Sequence, residues 1–257
     1  MSNKESIDLL FGEDIDFAYK VKIKVPTVEQ VAYDDKFNTY VKIFTTTTRE
    51  IFAMSRDVDK LEEQYPTILS MTKDEEMDFV LGKMMGTEYK GSALIMEALS
   101  YWTGLELTGD NGFFLMSNGK IIHIGTEWII DEEEWNRLRD KIKQILSIKT
   151  DRDFEPPKPM NSDAKFHAWQ SLLKGRIRKA QNSGISIADK IMILSISMET
   201  YIPINEIKKM SIFVFNKLFE GLSKKEAYEM NMQMVISGNF DNDKISKKHW
   251  KETFNTK

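Results

Sequence analysis

The side chains that could do chemistry are few in this chain and lie far apart. The three histidines are His123, His167 and His249. None of them has a second histidine or a carboxylate at the spacing of a zinc motif such as His-x-x-Glu-His. The sequence contains no cysteine, which excludes disulfides, thiol nucleophiles and cysteine-ligated zinc or iron–sulfur sites. Histidine and cysteine chemistry therefore give no candidate site.

Three other patterns have simpler explanations than a reactive site. Gly119-Lys120 ends like a phosphate-binding loop, but Phe114 stands where the first glycine of that loop is needed. Residues 241–243 (DND) begin like a calcium loop, yet lysines follow where oxygen ligands are required. The acidic run at 131–134 falls at the start of a predicted helix, where the helix dipole favours negative charge. We predict that the protein is not an enzyme and has no catalytic residue, metal or cofactor.

Two stretches carry the signature of β-strands. In residues 20–25 (KVKIKV) apolar and lysine side chains alternate, which predicts a half-buried strand. Residues 113–116 and 121–124 are apolar runs on either side of an Asn-Gly pair at 118–119, which is a strong cue for a hairpin. The hairpin would place His123 on a strand, as a surface or cross-strand residue and not as a base.

Most of the remaining pattern is helical. Apolar side chains recur at helical spacing behind capping pairs such as Thr27 with Gln30. One or two helices are predicted at residues 27–44. Single helices are predicted at 72–86, 91–104, 131–146, 162–182 and 186–200, followed by a short helix from Pro203 and two separate helices at 211–221 and 223–238.

A proline-rich segment divides the chain into two differently charged halves. Residues 154–160 (FEPPKPM) hold three of the six prolines, which cannot lie inside a helix and favour an extended spacer. Residues 1–151 carry 18 basic and 28 acidic side chains, whereas residues 152–257 carry 18 and 12. We predict a mainly helical α+β fold: an α+β module at 1–153 with a small antiparallel sheet and a hairpin near 113–130, a joint at 154–160, and an all-helical module with a lysine-rich tail at 161–257.

Basic residues in the second half raise nucleic-acid binding as an alternative function. They form two clusters, the second of which has aromatic side chains between its lysines; the clusters are Lys174, Arg176, Arg178 and Lys179, and Lys244, Lys247, Lys248 and Lys251. The sequence pI near 5.6 and the lack of a recognition-helix or RNA-binding motif argue against it. Trp250 lies in this tail, either docked on its own helical bundle or serving as an anchor for a partner.

No stretch resembles an export signal or a membrane span. The opening MSNKESIDLLFGEDIDF is acidic and lacks a long apolar run. The most apolar later stretch, 185–198, is interrupted by Asp189, Lys190 and serines. We expect a protein without membrane contact.

Several segments together resemble a known family. They are the opening KIKVPTVEQV, the hairpin and capped helix FFLMSNGKIIHIGTEWIIDEEEWNRLRDKIKQI, the proline-rich joint, and the ending ISGNFDNDKISKKHW. In order of elements, most of the chain resembles phage and prophage tail-morphogenesis proteins of Gram-positive hosts, the tail assembly chaperone-like group encoded beside the tape-measure protein. The residues that match the terminal pattern of that group are Gly238, Asp243, Lys244, Ile245 and Trp250.

The resemblance implies a non-enzymatic role in phage tail morphogenesis. Such a protein binds tape-measure, tube or baseplate subunits in the host cytoplasm and keeps their apolar helices from aggregating before assembly. Methionine- and phenylalanine-rich helices suit this task because their side chains repack around varied partners. The expected partner-binding residues are Phe213, Phe215, Phe219, Ile245, Trp250 and Phe254. The alternative is a structural baseplate or tail component that stays in the virion.

Overall fold

A computed structural model describes residues 3–45, 90–116, 120–148, 185–197 and 201–237, with single positions and short stretches between 164 and 175 and between 246 and 253. Over this part the fold is mainly helical and contains two small antiparallel sheets. This confirms the predicted α+β, mainly helical class. No helix in these ranges is long and apolar enough to cross a membrane.

The chain begins with helix α1 (Asn3–Phe11), followed by a two-stranded sheet of β1 (Ile15–Ala18) and β2 (Val21–Ile23). In β2 Val21 and Ile23 are buried and Lys22 is exposed, as the alternating pattern predicts. Strand β1 was not predicted, because its sequence IDFA is short and holds a charged residue.

Two helices follow the first sheet: α2 (Val28–Tyr33) and α3 (Phe37–Thr45). Both hydrogen bonds of the predicted capping box are present at the start of α2. The Thr27 amide donates to Gln30 Oε1 at 2.9 Å, and the Gln30 amide donates to Thr27 Oγ1 at 3.3 Å. The capping pair therefore begins the helix, and Val28 is completely buried behind it.

Helix α4 (Lys90–Thr103) confirms the predicted buried helix. Four of its side chains are completely buried, and they are Ile95, Ala98, Leu99 and Trp102. The helix ends at Gly104, whose φ of +68° suits glycine. A Cβ at this position would lie 2.5 Å from Cε of Lys24, but that flexible side chain can move aside, so the positive φ is the reason that glycine fits here.

The predicted hairpin is the first part of a three-stranded antiparallel sheet. Its strands are β3 (Phe113–Leu115), β4 (Ile121–His123) and β5 (Trp128–Ile130), in the order β3-β4-β5. A short 3-10 helix, Ile124–Thr126, connects β4 to β5. The two strands of the hairpin agree with the sequence prediction, while its Asn-Gly turn at 118–119 lies outside the described residues.

Helix α5 (Glu132–Ile145) closes the first half of the chain, as predicted. The Asp131 carboxylate caps it by accepting a hydrogen bond from the Glu134 amide at 3.0 Å. Its apolar face holds Trp135, whose ring centroid is 4.8 Å from that of Phe44 on α3. Arg139 is buried beside them and donates from Nε to the Phe44 carbonyl oxygen at 3.1 Å.

The described chain beyond residue 184 contains helices α6 (Ile187–Ser197), α7 (Ile204–Lys209) and α8 (Ile212–Ser237), with a 3-10 turn at Trp250–Thr253. The prediction of two helices at 211–221 and 223–238 was wrong, since α8 is continuous through both. Ser223 does not cap a new helix: its hydroxyl donates to the Phe219 carbonyl oxygen one turn earlier at 3.0 Å. A Ser-x-x-Glu pattern on an exposed helix face thus imitated a capping box.

The helices after residue 200 pack directly on the first half of the chain. The Val28 amide donates to the Met210 carbonyl at 2.9 Å, and the Ile212 amide donates to the Pro26 carbonyl at 2.8 Å. Asn216 Nδ2 donates to the Leu146 carbonyl at 2.9 Å. One hydrophobic core contains side chains from both halves; those from the second half are Leu194, Ile207, Ile212, Phe213 and Phe215.

Other predicted features lie outside the described residues. The helix at 72–86 and the proline-rich joint at 154–160 are among them, so the joint and the module boundaries stay predictions. The predicted helix 162–182 also lies largely outside, although its six described positions are helical.

Candidate partner-binding surfaces

The three-stranded sheet is apolar on both faces. Its inner face is buried in the core through Phe113, Ile121, Trp128 and Ile130. On the outer face, Phe114 pairs with Ile122 and Ile122 pairs with Ile129. Side chains paired across antiparallel strands lie on the same face, so these three form one continuous apolar row, which we call the outer row.

The outer row is open to solvent. Phe114 is 43% exposed, Ile129 is 47% exposed, and Ile122 between them is half-buried. Near one end of the row an ion pair joins Lys120 and Asp131 at 3.9 Å. An antiparallel sheet that meets water on one face normally carries polar side chains there, so three apolar residues in register are unusual.

A second exposed apolar surface lies on the last two turns of α8. Met230 is 54% exposed and Ile236 is 84% exposed, while Met232, Met234 and Val235 are half-buried. Methionine side chains are flexible and adapt to varied apolar partners. This part of α8, which we call the methionine segment (230–236), is chemically suited to binding other helices.

The predicted partner-binding phenylalanines are divided by the packing of α8. Phe213 and Phe215 are buried in the core, where their rings face other parts of this chain and not solvent. Phe219 is half-buried, and the Lys190 ammonium lies 5.5 Å from the centroid of its ring. The first turn of α8, which holds Phe213 and Phe215, is buried in the core, whereas Phe219 lies one turn further along the helix. The partner-binding role of these residues stays a prediction.

Trp250 packs within the chain. The 3-10 turn that begins at Trp250 contacts α8. His249 lies between two rings, with its centroid 4.9 Å from that of Tyr228 on α8 and 5.9 Å from that of Trp250. Trp250 remains half-buried, which leaves part of the indole accessible. Ile245 and Phe254, also predicted to bind a partner, lie outside the described residues.

Described residues of the first half of the chain line two clefts. The larger, with a volume of about 880 Å³, lies between α2 and α4 and is lined by Lys24, Tyr33 and Tyr101 among others. The pKa of Tyr101 is raised to about 12, mainly by burial and to a smaller extent by the negative charge of Asp34. The hydroxyl is therefore protonated at neutral pH. The smaller cleft, about 350 Å³, holds the Lys141–Glu5 ion pair. Burial lowers the pKa of Lys141.

A small polar network joins α3 and α4. The Lys36 ammonium donates to Glu97 Oε2 at 2.8 Å, and the Tyr40 hydroxyl donates to the same oxygen at 3.2 Å. The hydrogen bond from Lys36 is the largest cause of a lowered pKa at Glu97, and the same bond raises the pKa of Lys36. The arrangement holds Glu97 in its charged form, which is the behaviour of a structural ion pair.

His123 lies on a strand, as predicted, but it faces inward and is almost completely buried. Its Nδ1 accepts a hydrogen bond from the Thr126 amide at 3.2 Å, and its ring centroid lies 4.7 Å from that of Phe113. Burial lowers the pKa of His123, while the nearby Glu106 acts in the opposite direction. The imidazole thus caps the 3-10 helix as a neutral side chain.

The described residues include no group of three or more histidine, aspartate or glutamate side chains that could hold a metal ion. The basic cluster at 174–179 lies outside the described residues except for Gly175. In the second basic cluster only Lys248 and Lys251 are described, and both are exposed.

Sequence reasoning missed the outer row, although a signal was present. The strands read FFL, IIH and WII, with apolar residues at successive positions where a half-exposed strand would alternate. Such runs indicate a sheet that is apolar on both faces.

Part of the chain is similar to a known protein family. Residues 178–255 match the family described as the YomV second domain, a family derived from a Bacillus prophage. This similarity is consistent with a phage protein and includes α6, α7 and α8. No curated protein and no solved structure matches the chain significantly.

Proposed function

We propose that this protein is a non-enzymatic phage tail morphogenesis factor that binds tail proteins during assembly. The observation that carries the proposal is the position of the methionine segment. It lies within residues 178–255, the part similar to a prophage domain, and it exposes apolar side chains on a regular helix. An exposed apolar helix face in such a protein suits transient binding of the long helices of a tape-measure protein or of tube and baseplate subunits.

Pairwise co-expression with the tail proteins of the same phage tests this proposal. We expect one of them to co-elute with this chain, and the change Ile236→Asp to weaken that complex about tenfold or more by placing a charge in the interface. The matched control is Ser223→Asp, which adds the same charge to an exposed polar position of the same helix outside the methionine segment. Failure of every tail protein to co-elute, or an equal effect of both changes, would contradict the proposal.

The alternative is a structural baseplate or tail component, which would use the same apolar surfaces in a permanent interface. The amount of this chain in finished phage particles separates the two roles, since a chaperone leaves before the tail is complete. Nucleic-acid binding is the second alternative and predicts retention on DNA or RNA that falls steeply with salt. Lack of retention at low salt would eliminate it.

A further inference from the structure

The end of the chain folds back onto α8. Asn231 of α8 donates from Nδ2 to the Ser246 carbonyl oxygen at 3.3 Å, and the ring centroid of His249 lies 4.9 Å from that of Tyr228. The 3-10 turn that begins at Trp250 also contacts this helix. Residues 246 and 248–253, which we call the terminal strap, therefore run antiparallel to the second half of α8.

The terminal strap is bound to one face of the methionine segment. Four side chains that share this face recur at i, i+3, i+4 and i+7, and they are Tyr228, Asn231, Met232 and Val235. All four are half-buried, whereas Met230 lies on another side of the helix and is 54% exposed. The strap thus occupies the side of α8 that has the spacing of a helix-packing surface.

The strap is attached outside the hydrophobic core. Neither His249 nor Trp250 belongs to the core of the described residues, whereas the start of α8 is fixed there by Phe215. Trp250 is half-buried, and the side chains of Lys248 and Lys251 are exposed. Segments near a chain end that lie outside the core open at a lower free energy than the core itself. The strap can therefore detach from α8 while the core stays intact.

We propose that the terminal strap is an autoinhibitory contact, which occupies the helix-packing face of α8 in the free protein and is displaced when a partner helix binds there. The inference rests on the proposed function for the origin of that helix, a tail protein of the same phage. A single 3-10 turn is shorter than the two helical turns of this face, and Met232 and Val235 stay partly exposed. An amphipathic helix presents apolar side chains along the whole face and buries them further.

Oxidation of methionine by hydrogen peroxide tests the strap in the full chain without any partner. Trp250→Ala removes the largest side chain of the strap, and Lys248→Ala is the matched control at an exposed position of the same strap. We expect Trp250→Ala to raise the oxidation rate of Met232 at least about threefold, because the face opens more often. The exposed Met192 of α6 is the internal reference and should not change. An unchanged rate at Met232 would overturn the inference.

The affinity for a tail protein separates two roles of Trp250 by the sign of the effect. An anchor for the partner would make Trp250→Ala bind more weakly. A strap makes the same change bind at least about threefold more tightly, because the apparent affinity of a site is reduced by the fraction of time for which it is occupied. Lys248→Ala should bind like the unaltered chain. Weaker or unchanged binding of Trp250→Ala would overturn the inference, and circular dichroism checks that both variants remain folded.

A covalent lock provides the converse test. The variant Asn231→Cys with Ser246→Cys places a cysteine on each side of the contact, and the chain has no other cysteine with which they could pair. We expect the locked form, joined by a disulfide or a short bismaleimide, to bind the tail protein at least about tenfold more weakly than its unlinked form.

The outcomes of the lock separate this inference from the proposed function. Failure of the two cysteines to crosslink, or equal binding of the locked and unlinked forms, would overturn the strap and leave the proposed function supported. Absence of tail-protein binding to every form, Trp250→Ala included, would contradict the proposed function and this inference together.

Discussion

At the scale of single residues, His123 illustrates how burial decides the role of a side chain. Its position on a strand could be predicted from the sequence. Its inward direction could not, because the surrounding run IIHI is apolar and does not show which face of the strand is buried. The structure turns the imidazole toward Phe113 and Trp128 and leaves Ile122 outside. The histidine is therefore a structural cap of the Ile124–Thr126 turn.

The lowered pKa of His123 predicts a pH dependence of stability. In the unfolded chain a histidine titrates near pH 6.5. Between that pH and the lower pKa of the folded protein, the unfolded chain binds more protons, so the free energy of unfolding decreases as the pH falls through this window. Above the window the full stability is present. Urea unfolding at pH 7.5, 6.5 and 5.5 measures the effect.

The variant His123→Gln should lose this dependence between pH 7.5 and 5.5, although its stability at pH 7.5 is also lower because the buried ring is lost. The control His167→Gln retains His123 and should keep the dependence. An unchanged slope in His123→Gln would contradict this role for the imidazole.

At the scale of elements, Ser211 connects the start of α8 to α1. Its hydroxyl donates to the Leu9 carbonyl oxygen of α1 at 3.3 Å and accepts from the Val214 amide of α8 at 3.2 Å. A backbone bridge between Ser211 and Thr27 adds a third connection. One buried side chain thus links helix capping to tertiary packing.

Ser211→Ala should lower the free energy of unfolding by about 1–2 kcal/mol, since it removes the helix cap and a buried hydrogen bond to the Leu9 carbonyl. Ser223→Ala is the matched control on the same helix, because its exposed hydroxyl bonds only to the preceding turn. That change should stay within about 0.5 kcal/mol. Equal losses for the two variants in denaturant unfolding would show that Ser211 has no special role.

Most of the described elements could be predicted from the sequence, and the exceptions have physical causes. The capped helices α2 and α5 and the hairpin depend on local signals, namely Thr27, Asp131 and two apolar runs separated by Asn-Gly. The short strand β1 forms only because β2 pairs with it. The outer row could have been suspected from its apolar runs, but its exposure depends on tertiary packing that periodicity does not report.

At the scale of the whole molecule, the halves of opposite charge share one core. Phe215 of α8 is 1% exposed within the same hydrophobic cluster as Leu9 and Trp135. Lys208 and Glu29 add a partly exposed ion pair across the two halves at 3.3 Å, which contributes little. Apolar burial therefore holds the described elements together, and it predicts cooperative unfolding across both halves.

Phe215→Ala should destabilise the first half as much as the second, by about 3–5 kcal/mol, because it opens a cavity in the shared core. A background with Trp169→Phe and Trp250→Phe limits tryptophan fluorescence to the three tryptophans of the first half. The unfolding midpoint reported by fluorescence should move together with that reported by circular dichroism. The half-buried Phe219 is the control, and Phe219→Ala should cost less. A fluorescence midpoint that Phe215→Ala leaves unchanged would contradict a shared core.

We predict that this chain binds tail proteins during assembly and does not stay in the particle. Quantitative mass spectrometry of phage-producing cells tests it by comparing the tagged chain purified from the lysate with the finished particles. We predict a tail protein in near-equal amount with the chain from the lysate, and no chain in the particles. A chain recovered without any tail protein, or present in particles at the level of a structural subunit, would contradict the account.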